Sequence, residues 1–365
     1  MRQSFTAAEQ IARQRLVRQH LVSPTLTHVA DVVRVLGAVQ AQDYAGAKWA
    51  VGQRAIGVTG ADVDRAFDAG AIIRTHVLRP TWHFVAPDDL RWMLALTAPR
   101  VSAAMGYYNR LLGLDRAAFR KSNETLTRAL RDGRQLTRRE LVSALTGAGV
   151  KVPTGQHAAH LLMQAELDGV ICSGARRGKQ HTYALLDERV PPAHTLERDE
   201  ALAELTRRYF ATRGPATLRD FSWWSGLTMA NARRGAEAVG PFLRRDRRDD
   251  RTEWLAPSAA VVVPRTPTAH LLPNYDEYFI GFKDRSAIGQ RLSEPRTSRR
   301  MEALQAHLVF VDGQIVGGWK RALSKPADVQ LKLLVPLTPA ERKLIETAVR
   351  RLGSFLDLPL HIRQR

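Results

Sequence analysis

Val39-Gln40-Ala41-Gln42-Asp43-Tyr44 follows directly on an amphipathic run and Gly37. Two glutamines separated by one residue can share a task only if they face the same way. In an extended chain side chains alternate, so Gln40 and Gln42 would point to one side. On a continuing helix they would diverge by roughly 200°, and the pair would be no more than two polar residues at a helix end. A glutamine offers one carbonyl acceptor and two amide donors, and it removes no proton at physiological pH. Such a pair could orient a water molecule or favour a developing positive charge. Asp43, one step on, is a rival acid, and His83 in Arg79-Pro80-Thr81-Trp82-His83 is a rival base.

The other reactive residue types have simpler readings. His157-Ala158-Ala159-His160 puts two imidazoles on one helix face with no third ligand at a telling distance, which reads as a helix-surface pair. Cys172 is the single cysteine, so an intrachain disulfide and a cysteine zinc site are excluded, and its setting in a predicted strand makes it a core residue. There is no phosphate-binding Walker sequence, dinucleotide glycine fingerprint or paired-Asp nuclease motif. Two basic clusters remain. Arg176, Arg177 and Lys179 occupy one predicted turn and are read as phosphate contacts. Arg244, Arg245, Arg247 and Arg248 occupy another, where Asp246, Asp249 and Asp250 cancel much of the charge and leave the reading even.

The elements that must position these residues follow one grammar three times. Thr6-Ala7-Ala8-Glu9 is a capping box opening an amphipathic run to about Leu21. After Pro24 a second helix runs from about Thr27, with Val29, Val32, Val33 and Leu36 on one face. A further helical stretch near Asp62–Phe67 leads to two β-rich runs, Ile72–Val77 and Thr81–Val85, which form a hairpin. In the second segment Thr137-Arg138-Arg139-Glu140 caps a short helix through Leu145. A helix over about Gln156–Leu167 and the strands Val170–Cys172 and Thr182–Leu186 follow. The third has the amphipathic run Leu202–Tyr209, the box Thr217-Leu218-Arg219-Asp220 and a helix from about Thr228 to Val239. Phe242-Leu243 and Glu253–Leu255 then flank the charged turn Arg244–Arg251. Helix, turn, helix and hairpin is the winged-helix order.

Past Pro257 the pattern changes to strands at Val261–Val263, Leu308–Val311, Ile315–Val316 and Val329–Val335. Asp312-Gly313 is a type I′ hairpin signal, and Thr338-Pro339-Ala340-Glu341 caps a last helix with Pro at its first position. The expected fold class is α+β and mainly helical. Its expected division is winged helix 1 over 1–115, winged helix 2 over 116–192, winged helix 3 over 193–256 and an α+β domain over 257–365.

Composition narrows the partner. The 365 residues carry 55 Lys and Arg against 36 Asp and Glu, a formal charge of +19, which points to a polyanion and to nucleic acid before a membrane surface. A GC-rich genome would account for Arg over Lys, but not for the excess of base over acid. No run of about 18 apolar residues suits a membrane span, and the first residues lack the apolar core of a signal peptide, so a cytoplasmic, nucleoid-associated location is expected.

Gln40-Ala41-Gln42, Arg79-Pro80-Thr81-Trp82-His83, Leu272-Pro273-Asn274-Tyr275-Asp276-Glu277 and Asp312-Gly313 together resemble the AlkZ-type bacterial DNA glycosylases, over essentially the whole chain. That family carries a Gln–hydrophobic–Gln motif in its first winged helix, and its three winged helices form a C-shaped scaffold. The resemblance implies that Gln40 and Gln42 are the catalytic pair. Ala41 fills the hydrophobic position with a small residue, a departure from the pattern. A sister branch has an acid at the second motif position, and Gln42 places this chain in the Gln–Gln branch. His83, Asp43 and Tyr44 are further candidates for catalysis or lesion contact. Arg79, Thr81, Arg138, Arg139, Arg176, Arg177 and Lys179 are the expected DNA contacts, while Asn274 to Glu277 would brace the closing domain.

The implied activity is a monofunctional glycosylase that hydrolyses the N-glycosidic bond of bulky N7-alkylguanines and unhooks interstrand crosslinks, leaving abasic sites. Its implied setting is self-resistance to a DNA-alkylating natural product or alkylation repair. The partner would be double-stranded DNA carrying alkylated bases, bound by a monomer without cofactor or metal. The rival reading is a non-catalytic winged-helix regulator or adduct sensor. Three unlike units in one chain do not suggest a two-fold dimer on a palindrome.

Overall fold

Side-chain caps start most of the helices in this computed structural model, which describes residues 5–193, 195–248, 251–257, 266–292, 307–322 and 328–364. Thr6, Thr137, Thr217 and Thr338 each accept from the backbone amide three residues on. The acid at that position closes a reciprocal box: Glu9, Glu140, Asp220 and Glu341. Each cap fixes where a helix begins, so the apolar residues behind it fall on the inner face.

The first unit holds helices Ala7–Arg18, Val29–Leu36, Tyr44–Gly52 and Gly60–Asp68. Its hairpin joins Ile73–His76 to Trp82–Val85, with Ile73 opposite Val85 and His76 opposite Trp82. A short third strand, Val39–Gln40, lies on the other side of Trp82–Val85, pairing Val39 with Phe84 and Gln40 with His83. Pro87 opens a helix that runs to Leu111 and carries the chain to the second unit. There Arg116–Leu130, Arg138–Gly147 and Gly155–Leu167 pack under a sheet in the order Leu136–Thr137, Thr182–Leu185, Ile171–Ser173. The third unit has Arg198–Arg213, Leu218–Ser225 and Met229–Val239, followed by a hairpin. The segment expected as a charged turn is itself that hairpin: Arg244–Arg248 pairs with Arg251–Leu255, from Arg244 opposite Leu255 to Arg248 opposite Arg251. Alternating charge misreads as a loop when the strand's backbone pairing, not its side chains, holds it in place.

The closing segment contributes a five-stranded sheet in the order His361–Gln364, Asp328–Leu333, Gln314–Ala322, His307–Val311, Ala269–Leu272. Asp312 and Gly313 both have positive φ, 51° and 77°, as a type I′ turn demands. The strand expected at Val261–Val263 lies outside the described residues. This sheet and the helix Pro339–Leu356 share one core with the first unit: Val32, Val33, Phe67 and Phe84 pack in the same cluster as Val309, Val316, Val329, Ile345 and Leu352. Trp49 Nε1 crosses between them to the Leu271 carbonyl at 2.6 Å. The N-terminal unit therefore rests on the C-terminal sheet. Among the described residues no helix is long and apolar enough to cross a membrane.

Candidate active site

Gln40 is held at three points. Its backbone belongs to the strand paired with His83. Its N–H donates to Glu277 Oε1 at 2.9 Å, and its side-chain Oε1 accepts from Arg79 Nη2 at 3.1 Å. Only 7% of the residue is exposed. Ala41 is buried, and its N–H donates to the Trp82 carbonyl at 2.7 Å. Gln42 follows the same strand, with its Oε1 accepting from the Trp82 N–H at 3.4 Å, but it is exposed. The chain is thus extended at Gln40, keeps one further ladder bond at Ala41 and bends at Gln42, with a clamped glutamine, a buried alanine and an open glutamine in sequence.

The clamp comes from far along the chain. Glu277 is fully buried, and while Oε1 takes the Gln40 amide, Oε2 accepts from Arg213 Nη2 at 2.7 Å and Trp224 Nε1 at 2.8 Å. Arg213 also reaches the Leu36 carbonyl at 2.9 Å, at the end of the helix that leads into the motif. The neighbouring Asp276 turns the other way and takes two bonds from the buried Arg54, 2.7 and 2.9 Å. Two adjacent acids thus tie the closing segment to both the first and the third unit. Asp276 and Glu277 are braces, as the sequence suggested for this stretch, and Glu277 in addition sets the backbone of Gln40.

The rival acid and base are placed differently. His83 is fully buried; its Nδ1 lies 2.9 Å from the Thr81 carbonyl, which can only accept, so Nδ1 carries the proton. Burial first, then the Arg79 charge, holds the ring well below its ordinary pKa. His83 is a neutral imidazole shut away from solvent, which removes it as a base that titrates near neutrality. Tyr44 is turned inward as well. Its hydroxyl donates to Asp64 at 3.0 Å, and its ring meets Phe67, Phe84 and His181 edge-on, so it is packing rather than an open lesion contact. Asp43 is half-buried at the cap of the helix Tyr44–Gly52, its carboxylate set against Gly46. His157 and His160 point to separate partners, the Leu112 carbonyl and Asn109, and Cys172 is a buried thiol pushed up to about 12.

A family model for AlkZ-like DNA glycosylases matches residues 33–355. The chain belongs to this family. The curated interstrand DNA cross-link repair glycosylase of Streptomyces sahachiroi is 26% identical over 330 residues, which span 85% of this chain and 87% of that one. The solved structure of Streptomyces sahachiroi DNA glycosylase AlkZ has the same fold, with a TM-score of 0.80 over 99% of this chain and 100% of that one at 24% identity. The resemblance carried by the motifs therefore holds along the chain, which is a DNA glycosylase with DNA as its partner.

The glycosylase's basic residues divide sharply. Arg176, expected at DNA, is instead bound to the first unit: its backbone N–H and guanidinium take both oxygens of Asp68 at 2.8–3.1 Å and one of Asp64 at 3.0 Å. Arg177 is exposed but pairs with Glu140 at 2.7 Å and donates to the Gln135 carbonyl. Arg79 is spent on Gln40, and the Thr81 hydroxyl is buried without a partner. Arg138 is exposed and donates to the Gly155 carbonyl at 2.5 Å, while Arg139 and Lys179 are exposed. Long-range pairing explains the difference: Asp64 and Asp68 stand more than 100 positions before Arg176, and the charge cluster read as free is the joint between two units.

Trp82 packs the motif from beneath. Its ring lies 4.2 Å from the Arg74 guanidinium and 4.5 Å from the His76 ring, and its Nε1 donates toward Glu166 at 3.4 Å. Glu166 also bonds His76 and comes from the second unit, so the strand that supports Gln42 is fixed by two units at once.

Buried histidines give the glycosylase a defined acid limit. His270 is pushed down to about 3 by burial and then by Arg351 and Arg54, and His181 to about 4 by burial and then by Arg74 and Arg176. His83 is lowered in the same sense. On unfolding each returns to about 6.5, so below that pH the unfolded chain binds protons that the folded chain refuses. The contribution is fully present above about pH 7 and is lost as the pH falls through 6.5, at up to about 1.4 kcal/mol per pH unit for each fully buried ring. Urea midpoints are expected to decline between about pH 7 and pH 5, above the range where carboxylates titrate. A midpoint constant over that window would mean that these rings are protonated in the folded state.

Proposed function

We propose that this glycosylase hydrolyses the N-glycosidic bond of bulky N7-alkylguanines, including those joined in interstrand crosslinks, and leaves abasic sites. The observation that carries the reading is the open, neutral Gln42 beside the clamped Gln40, with the nearby imidazole of His83 buried and neutral. A site of this kind suits a leaving group that needs no protonation. Alkylation at N7 makes the purine cationic, so when the bond from C1′ to N9 breaks, the electron pair neutralises the base as it departs. Water adds to C1′ and releases its proton to solvent. What the protein must supply is orientation of that water and preorganised dipoles toward the oxocarbenium charge. Gln42 orients the water, and Gln40 positions the sugar or backbone. The name of the Streptomyces sahachiroi relative supports the crosslink as substrate. N7 of guanine lies in the major groove, so an open surface at Gln42 leaves room for adducts that project there. The enzyme works as a monomer, in self-resistance to a DNA-alkylating natural product or in alkylation repair.

The test is release of free adduct and formation of alkali-labile sites from duplexes carrying one small N7 adduct, one bulky adduct or one crosslink. Release from the bulky and crosslinked duplexes is expected; DNA binding with no release from either would sink the proposal. The same assay under single-turnover, saturating conditions is expected to give a rate level from about pH 6 to 9, the range in which a histidine base would titrate. An inflection there would assign proton transfer to an ionising side chain and remove the neutral mechanism.

A further inference from the structure

Outside the motif, the described residues place four cations around one concavity of about 660 Å³ in the third unit: Arg219, Arg233, Arg245 and Lys283. We propose that this concavity is a phosphate-binding pocket that grips the backbone of duplex DNA beside the lesion. Arg219 stands in the first turn of the helix Leu218–Ser225, Arg233 on the helix Met229–Val239, Arg245 on the hairpin strand Arg244–Arg248, and Lys283 in the closing segment. All four residues are exposed, and no carboxylate of the described residues pairs with any of them. Arg245 alone has a neighbour of note, the Trp254 ring at 5.4 Å.

Two acids line the same concavity, and both are engaged. Asp220 is buried; Oδ2 caps its helix through Thr217, and Oδ1 accepts the backbone amides of Lys283 and Asp284 at 2.9 and 3.0 Å. Asp284 Oδ1 accepts from the Ser286 amide at 2.9 Å. The pocket is left with two surplus positive charges on long, unpaired side chains, whereas Arg176 and Arg177 on the second unit's hairpin are neutralised by Asp64, Asp68 and Glu140. Planar guanidiniums with free donors match phosphate oxygens, and phosphate contacts set the register of a protein on duplex without reading sequence.

The pocket is rigidly tied to the motif. The helix that carries Arg219 in its first turn also carries Trp224, which shares Glu277 with the Gln40 amide. It ends at Gly226, whose φ of 71° turns the chain against the Leu78 carbonyl, next to Arg79. Eight residues at 1.5 Å each span about 12 Å, near the axial rise of about three to four base pairs. The pocket and the clamp on Gln40 thus sit at the two ends of one short helix, so a duplex engaged at the motif has the pocket within a few nucleotides of its backbone if it runs along that helix.

The test uses a short undamaged duplex, so that it is independent of which lesion is excised. Binding is followed by fluorescence anisotropy across a salt series for the wild type, Arg219→Ala/Arg233→Ala, Lys283→Ala and Arg234→Ala. Arg234 lies one residue from Arg233 but pairs with Asp199, so its replacement removes one formal charge outside the pocket, as Lys283→Ala removes one inside it. The double variant is expected to flatten the slope of log K against log salt by about 0.9 for each phosphate that is no longer neutralised, and Lys283→Ala to act in the same direction. Arg234→Ala is expected to leave the slope near that of the wild type. Equal slopes for the wild type and the double variant, or a flattening for Arg234→Ala equal to that for Lys283→Ala, would overturn the pocket. Thermal midpoints of the variants, all at exposed positions, separate weakened phosphate binding from impaired folding.

Discussion

Glu277→Ala is expected to lower the unfolding free energy by about 3–5 kcal/mol, the cost of removing one partner from a buried ion pair. The reason lies in what the carboxylate leaves behind. Arg213 is fully buried, and its Nη2 would face Glu277's vacated place with its charge uncompensated. Trp224 Nε1 and the Gln40 amide lose their acceptor in the same step, and each orphaned donor adds a desolvation cost. Glu277→Gln separates charge from shape. An amide has one acceptor oxygen where the carboxylate has two. If that oxygen faces Arg213 and Trp224, its NH2 group opposes the Gln40 N–H; if it is flipped, the guanidinium meets the NH2 group. Both variants should shift the urea midpoint at an unchanged denaturant slope, the alanine further. A shift below about 1 kcal/mol for Glu277→Ala, the range of an exposed pair, would mean that water reaches this carboxylate.

Much of the scaffold was legible because helix starts and hairpin turns are written locally. The threonine–acid boxes at Thr6, Thr137, Thr217 and Thr338 put four helices in place. Asp312-Gly313 fixed a hairpin through two positive φ values that few residues accept. The motif itself was harder. Gln40 is extended only because Val39–Gln40 pairs with Trp82–Val85, more than 40 positions on, and a two-residue strand has no periodicity of its own. The burial of His83 was equally hard to decide, because a hairpin histidine packed near the first unit's core and one serving as a base look the same in sequence.

Charge was the least legible property, since a cation is free or spent according to which acid the fold brings to it. The sequence favours Arg176 over the acid-interspersed Arg244–Arg248 as a phosphate contact, yet Arg176 closes a joint with Asp64 and Asp68 while Arg245 opens onto an unpaired cluster. The same holds for the adjacent acids Asp276 and Glu277, whose opposite partners, Arg54 and Arg213, are separated by more than 150 positions. Their work could be suspected from the motif, but which acid touches Gln40 depends on the fold.

Gln42→Ala is expected to slow base release by about 10²- to 10³-fold under single-turnover, saturating conditions, the typical loss when one preorganised dipole is removed from a developing charge. Stability should move by no more than about 0.5 kcal/mol, because the side chain is exposed and makes one long bond, 3.4 Å from the Trp82 amide. Chemistry and folding are thus separable at Gln42. They are not at Gln40, where removal of the side chain takes the acceptor from Arg79, a largely desolvated guanidinium whose pKa burial already lowers. Gln40→Ala should therefore lose both rate and stability. The ordering discriminates between mechanisms: if Gln42 orients water, Gln42→Ala loses rate with its affinity for damaged duplex intact and its urea midpoint unchanged. A Gln42→Ala enzyme that releases bulky adducts at the wild-type rate would move the water to another group, with Asp43 next in line on the same turn. A carboxylate in that role would show itself as a loss of rate for Asp43→Asn, which keeps the shape and removes the charge.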